Sequence, residues 1–442
     1  MFDILDQEEE EEEEEERALK RRKAAALHFY LQSLKGSKPR WTVEGRCPNK
    51  YASDVQRLQL IEIAEMKESN PKRFTRMFRL HPVDFDELLR KITPELNNGK
   101  TYYNSVSPVV KLICTLRYLA GGLYTDICFC WKVNEYSFYH FVEECLQAID
   151  KALKNIRFPV AQNCVDEQQQ MKELREMELK FARLSFGHIR GTVAAVDGIV
   201  FRMERPSKSE VDNNVRGYFV RKGYYAFGMQ GMCDADCKFV SISSLLTSSS
   251  HDSTAYQLSA FADAIRNGQL PSNFHVVMDE AYPCREQEMS PWSGKGLSVE
   301  KDAFNFLLSR QRQCIERAFG LLVGRFGIFW RPLRMKLSKI PLVVRVCCKL
   351  HNICVDRFTA AASVETYRNN MRDTDHQKGD DYEPVWNNDT GKYRGYRTDL
   401  ESCPKRERVT HNIRILGYER PSTSSFSRVS KHKRRTLLNI DI

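Results

Sequence analysis

The sequence predicts an α/β protein in which a helical N-terminal region precedes a three-layer α/β unit, with polar segments at both ends. Three observations carry this reading. Between about Arg73 and Leu153, apolar residues recur at three- and four-residue steps, the period of a buried helix face. From Thr192 onward β-type runs appear, first in succession and then alternating with helical segments. Both ends are dominated by charged and small polar residues, which oppose a packed core.

Taken in order, residues 1–65 read as a flexible head, with an unbroken glutamate run from Glu8 to Glu16 followed by the basic cluster Lys20 to Lys23, a candidate import signal. Residues 66–160 form the helical region. Phe74, Phe78, Phe85, Leu88 and Leu89 share one stripe; Val109, Leu112, Ile113, Leu116 and Leu119 share another, which Gly121-Gly122 ends. Two short segments, Tyr124 to Val133 and Glu135 to Leu153, are separated only by Asn134, a spacing that looks like a helix-turn-helix. In its early turns the second presents Glu135, Tyr136, Ser137, His140, Glu143 and Glu144 and no Arg or Lys, so packing or protein contact is favoured over reading base edges.

A helical linker, 161–190, leads into the α/β unit, 191–358. There the strands are Thr192 to Met203, Tyr224 to Cys233, Lys238 to Leu246 and Phe274 to Met278, and the helices Asp252 to Arg266, Lys301 to Phe326 and Leu342 to Val355. Residues 359–442 read as a mostly disordered basic tail whose end, Lys431 to Arg435, is a second import candidate.

Charge narrows the partner. Residues 1–16 hold eleven of the 58 acids and no base, so the rest of the chain carries a net charge of +21, which favours a polyanion. The longest apolar stretch, Val106 to Tyr124, is interrupted by Lys111 and Arg117, and the N-terminus opens acidic, so neither a membrane span nor a secretory signal is expected. The 14 cysteines follow no repeated spacing and read as reduced thiols. Cys128 with Cys130, Cys233 with Cys237, and Cys347, Cys348, His351 and Cys354 are the groupings that zinc would need, but small buried side chains explain them better. His351 reads as a structural residue within its helix.

Three carboxylates stand out. Asp197 ends the apolar run from Thr192 and precedes Gly198; Asp279 ends the run from Phe274 in the same way. A carboxylate closing a buried strand is costly unless paired, capped or bound to a cation. Glu316 is the only acid among ten Lys and Arg residues between Arg310 and Lys349, and it lies at the rim of its helix's apolar stripe. Converging, the three would make an oxygen cage for Mg²⁺ or Mn²⁺, suited to phosphodiester chemistry. The plainer alternatives are an Asp closing a turn and an intrahelical ion pair of Glu316 with Arg312. The bases around Glu316, including Arg312, Arg317, Arg325 and Arg331, are expected to face solvent and track DNA phosphates. No phosphate-binding loop is present.

Five motifs occur in order: Val196-Asp197-Gly198; Ser250-His251-Asp252-Ser253; Met278-Asp279-Glu280-Ala281-Tyr282-Pro283; Ile315-Glu316-Arg317-Ala318-Phe319-Gly320 with Arg325-Phe326; and Leu350-His351-Asn352. Over about residues 73–358 the set resembles the DDE endonuclease of PIF/Harbinger transposases and the Harbinger transposase-derived nucleases. The upstream Leu116 to Gly122 stretch is similar to that family's helical region. The resemblance implies an RNase H-like core, a divalent metal held by Asp197, Asp279 and Glu316, action on DNA in the nucleus, and a Myb-like DNA-binding partner protein; a homo-oligomer is compatible with it. Asp252 is a further acid beside the ligands, or a helix N-cap. Glu280, where the family usually has a small or neutral residue, is a competitor for the metal. The leading expectation is a metal-dependent DNA endonuclease or transposase. The alternative is a non-catalytic DNA- or protein-binding factor derived from one.

Overall fold

The computed structural model describes residues 50–97, 106–244, 247–360 and 403–421. The glutamate run and both import candidates lie outside them. The chain divides into two compact units: residues 1–155 with 322–357, and residues 156–321 with 358–442. The division falls inside the helix Val299–Arg325.

The first unit is helical. Its helices are Lys50–Ser69, Pro71–Phe78, Pro82–Leu96, Pro108–Leu119, Tyr124–Trp131 and Glu135–Ala152, joined by most of Ile340–Ala360. Phe74, Phe78 and Phe85 bury fully and meet ring to ring, Phe74 and Phe85 edge-on at 5.3 Å. The sequence stripe from Val109 to Leu119 is buried as its period requires. The Gly121 and Gly327 backbones pass so closely that a Cβ at Gly327 would lie 2.5 Å from the Ala120 carbonyl oxygen. Only glycine fits there.

Polar anchors complete this unit. Lys349, almost fully enclosed, and Arg345 both reach Asp150 at 2.8 Å. Burial works to raise the Asp150 pKa, but these two bonds outweigh it and the net shift is downward. Arg325, expected at the surface, is buried against His351, with 3.0 Å between its Nη1 and the ring Nδ1. Its place in the apolar repeat of the helix overrides its charge. The helix Lys50–Ser69 starts inside the segment read as a flexible head, because Leu60 and Ile63 supply a buried face that the surrounding charges hide.

The second unit holds a six-stranded mixed sheet: β1 Thr192–Arg202, β2 Phe219–Val220, β3 Tyr224–Cys233, β4 Phe239–Ser243, β5 His275–Val277 and β6 Glu288–Met289. The order is β2-β3-β1-β5-β6, with β4 also on β3; β1 runs antiparallel to β3 and parallel to β5. One face carries a core of small, branched and sulfur-bearing side chains, among them Ala194, Val196, Met232, Val276 and Met278, under the helices Asp252–Gln257 and Ala260–Arg266.

These two helices replace the single one expected, since Ser259 interrupts the first and caps the second, its Oγ accepting from the Ala262 amide at 3.3 Å. On the other face, Phe319 of Val299–Arg325 packs over Gly231, where a Cβ would lie 2.8 Å from its ring. A buried polar chain ties this helix to β1: Thr192 Oγ1 donates to Gln311 Oε1 at 2.8 Å, and the Gln311 amide donates to the Phe181 and Ile189 carbonyls.

Within the segment read as a tail lies the helix Pro404–Ile415. Polar anchors rather than an apolar stripe hold it. The Lys405 ammonium donates to the carbonyls of Ser272, Asn273 and Phe274 at 3.0–3.3 Å, and Trp292 Nε1 donates to Thr410. A period-based reading has no access to such contacts.

Candidate active site

Ala195 of β1 pairs with Val277 of β5, and each strand reaches an aspartate two residues later. Asp197, within β1 just past the end of its pairing with β5, and Asp279, just past the end of β5, therefore lie at corresponding positions on adjacent parallel strands. Each carboxylate accepts the amide of the next residue, Gly198 at 2.8 Å and Glu280 at 2.6 Å.

Glu316, on the helix crossing that face, is joined to Asp197 through Arg312. The Arg312 Nη2 lies 2.6 Å from Glu316 Oε1, and Nη1 lies 3.5 Å from Asp197 Oδ2. Burial opposes the charge on Arg312, yet Glu316, Asp197 and Asp279 outweigh it and raise its pKa. Asp197 behaves oppositely: its pKa is pushed up to about 7, first by burial, with Asp279 and Asp252 adding to the rise and Arg312 working against it.

On the opposite side of β1, Asp252 approaches the Gly198 backbone. A Cβ at Gly198 would stand 2.5 Å from Asp252 Oδ1 and 2.8 Å from Gln230 Nε2, so the glycine makes the room. Asp252 is the first residue of its helix; His251 holds the cap position. Gln230 Nε2 donates to Asp252 at 3.3 Å, while the buried Tyr282 hydroxyl donates to Gln230 Oε1 at 2.9 Å. Protein atoms crowd Asp252 enough to raise its pKa, with Asp279 adding to the rise.

Sequence reading missed Gln230. Its signal is a lone polar residue within the apolar strand Tyr224–Cys233.

The other candidates separate. Glu280 and Arg317 are exposed, as is Arg331 in the helical unit. Arg312 and Arg325 do not face solvent as expected: one neutralises carboxylates and the other is buried. Of the ten bases from Arg310 to Lys349, at least six are engaged internally. Arg310 donates to the Leu184 carbonyl, Lys339 binds Glu143, and Arg345 and Lys349 bind Asp150, besides Arg312 and Arg325.

All donors at the strand ends are carboxylate oxygens, which suit a hard divalent cation. The Arg312 guanidinium stands between Asp197 and Glu316 as the positive charge of the site. Among the described residues no three His, Cys, Asp or Glu side chains are gathered closely enough to hold a metal as they stand.

Residues 196–352, which contain all three carboxylates, match the DDE superfamily endonuclease family. Over this stretch the chain is similar to the DDE superfamily endonucleases. It is 24% identical over 200 residues to "Protein ALP1-like" of Arabidopsis thaliana; the aligned stretch is 42% of this chain and 47% of that relative, so the chain spans about half the relative's length. No solved structure matches.

Proposed function

We propose that the protein is a divalent-metal-dependent DNA endonuclease of the DDE type, with Asp197, Asp279 and Glu316 as its metal ligands and an RNase H-like core in residues 191–358. One observation supports this above the others: two aspartates sit at corresponding positions on adjacent parallel strands, and a helix glutamate is tied to one of them, Asp197, through Arg312. Asp197, Asp279 and Glu316 would hold Mg²⁺ or Mn²⁺, which would supply the Lewis acidity for activating a water or 3′-hydroxyl and for stabilising the leaving oxygen.

The chain's own residues do the rest. The Gly198 and Glu280 amides aim the aspartates, Arg312 offsets the charge of neighbouring carboxylates, and Gln230 with Tyr282 fixes Asp252 behind β1. The helix-turn-helix-like region of 66–160, action in the nucleus and a Myb-like partner that selects the DNA sequence belong to the same proposal.

A second reading has its own support. Arg312 already satisfies Asp197 and Glu316, as it would in a DNA- or protein-binding factor released from catalysis. Incubating the full chain with supercoiled DNA and Mg²⁺ or Mn²⁺ separates the two. The nuclease reading expects nicking that Glu316→Gln abolishes while DNA binding persists, since phosphate contacts come mainly from bases. Binding without cleavage by the wild-type chain, under either metal, supports the non-catalytic reading.

A further inference from the structure

Exposed positive charge collects in a place that the carboxylate site does not use. The last pair between β1 and β5 is Ala195 with Val277, yet β1 stays paired with β3 as far as Arg202, and β3 carries β2 on its other edge. β4 meets β3 only at Gln230 to Cys233. From Gly198 onward, β1, β3 and β2 thus form a narrow ribbon running past the sheet end that bears Asp197. The ribbon turns at Arg221-Lys222-Gly223, where Gly223 takes a φ of 84°.

Between residues 202 and 222 lie six bases, Arg202, Arg205, Lys208, Arg216, Arg221 and Lys222, against three acids, and all six bases are exposed. Glu210, one of the acids, is engaged by Ser207 in a capping box. The Arg202 guanidinium lies over the Tyr224 ring at 4.4 Å, and the half-exposed Phe219 packs against Tyr225.

We infer that this ribbon is a DNA-holding arm that grips duplex beyond the point of cutting. The inference rests on the DNA-cleaving reading of the strand-end carboxylates. Five residues separate Asp197 from Arg202, about 17 Å of strand at roughly 3.3 Å per residue. At about 3.4 Å per nucleotide along one strand, that is a reach of about five base pairs. The arm's charge suits the evenly spaced phosphates of a duplex backbone, contacts that hold DNA whatever its sequence.

The test is fluorescence anisotropy of the full chain on duplexes of about 30 base pairs and unrelated sequence, with Ca²⁺ replacing Mg²⁺ and salt varied. The triple variant Arg216→Ala/Arg221→Ala/Lys222→Ala should bind every duplex about tenfold or more weakly, and its salt slope should fall by up to about 2.7, at ~0.9 per lost phosphate contact. Arg216→Lys/Arg221→Lys should retain most of the affinity, and the melting temperature of both variants should match wild type. Unchanged affinity and slope in the triple variant overturn the arm, as does failure of the wild-type chain to bind duplex, or loss on one sequence alone. Failure of the nuclease reading shows elsewhere, as tight binding by an arm-intact chain that never cleaves with Mg²⁺ or Mn²⁺.

Discussion

Replacing Asp197 with asparagine should make the protein more stable at alkaline pH while removing a ligand of the candidate site. The Asp197 carboxyl is three-quarters buried, and that burial leads the rise of its pKa to about 7. An unfolded aspartate titrates near ~3.9. The folded chain therefore holds the proton more tightly than the unfolded one, and stability falls as pH rises from about 4 to about 7. About three pH units at ~1.36 kcal/mol each set an upper bound of roughly 4 kcal/mol at about pH 8. Partial exposure and solvent screening bring the expected effect to about 1–3 kcal/mol.

The Asp197→Asn amide cannot ionise, and its oxygen can still accept the Gly198 amide hydrogen. Urea unfolding in EDTA, with variant and wild type compared from about pH 4 to about pH 8, measures the difference. The variant should match wild type at the acidic end and gain steadily above it. A variant less stable at the alkaline end, or a gain independent of pH, would refute the assignment of a carboxylate held against the fold's own preference.

Gly198→Ala should cost about 1–3 kcal/mol and cut activity, because the added methyl meets Asp252 at 2.5 Å and Gln230 at 2.8 Å; melting temperature and plasmid nicking read the two effects separately. Gln230→Leu removes the partner of both the Tyr282 hydroxyl and Asp252, costing about 1–3 kcal/mol, which urea midpoints will show. Lys349→Met should destabilise by about 3 kcal/mol with no change in DNA affinity or salt slope, since Lys349 is enclosed and bound to Asp150, which Arg345 only partly compensates.

Periodicity made most of the elements legible. The run Tyr224 to Cys233 is a strand at those limits, and the long helix around Glu316 falls within two residues of the limits expected. Asp197 and Asp279 were visible because a carboxylate at the end of an apolar run has no cheap structural explanation. What stayed hidden depends on contacts distant in sequence. Gln230 meets Asp252 and Tyr282 only once β3 is paired, and Lys405 finds its three carbonyls more than 130 residues away. Charge was the least reliable guide: ten bases near one glutamate suggest a surface track, but charge alone does not say whether an arginine meets solvent, a carboxylate or, like Arg325, a buried histidine.

Everything proposed for the site depends on Asp197, Asp279 and Glu316 binding a divalent cation together. Iron-directed cleavage tests this without requiring a DNA target, because Fe²⁺ occupies hard oxygen sites and, with ascorbate and peroxide, cuts the backbone beside it. Fragments of the full chain are expected to end near residues 197, 279 and 316, suppressed by excess Mg²⁺ and lost in Asp197→Asn. Cuts that map elsewhere, or that persist at those positions in the variant and under excess Mg²⁺, would contradict a shared cation at these three carboxylates.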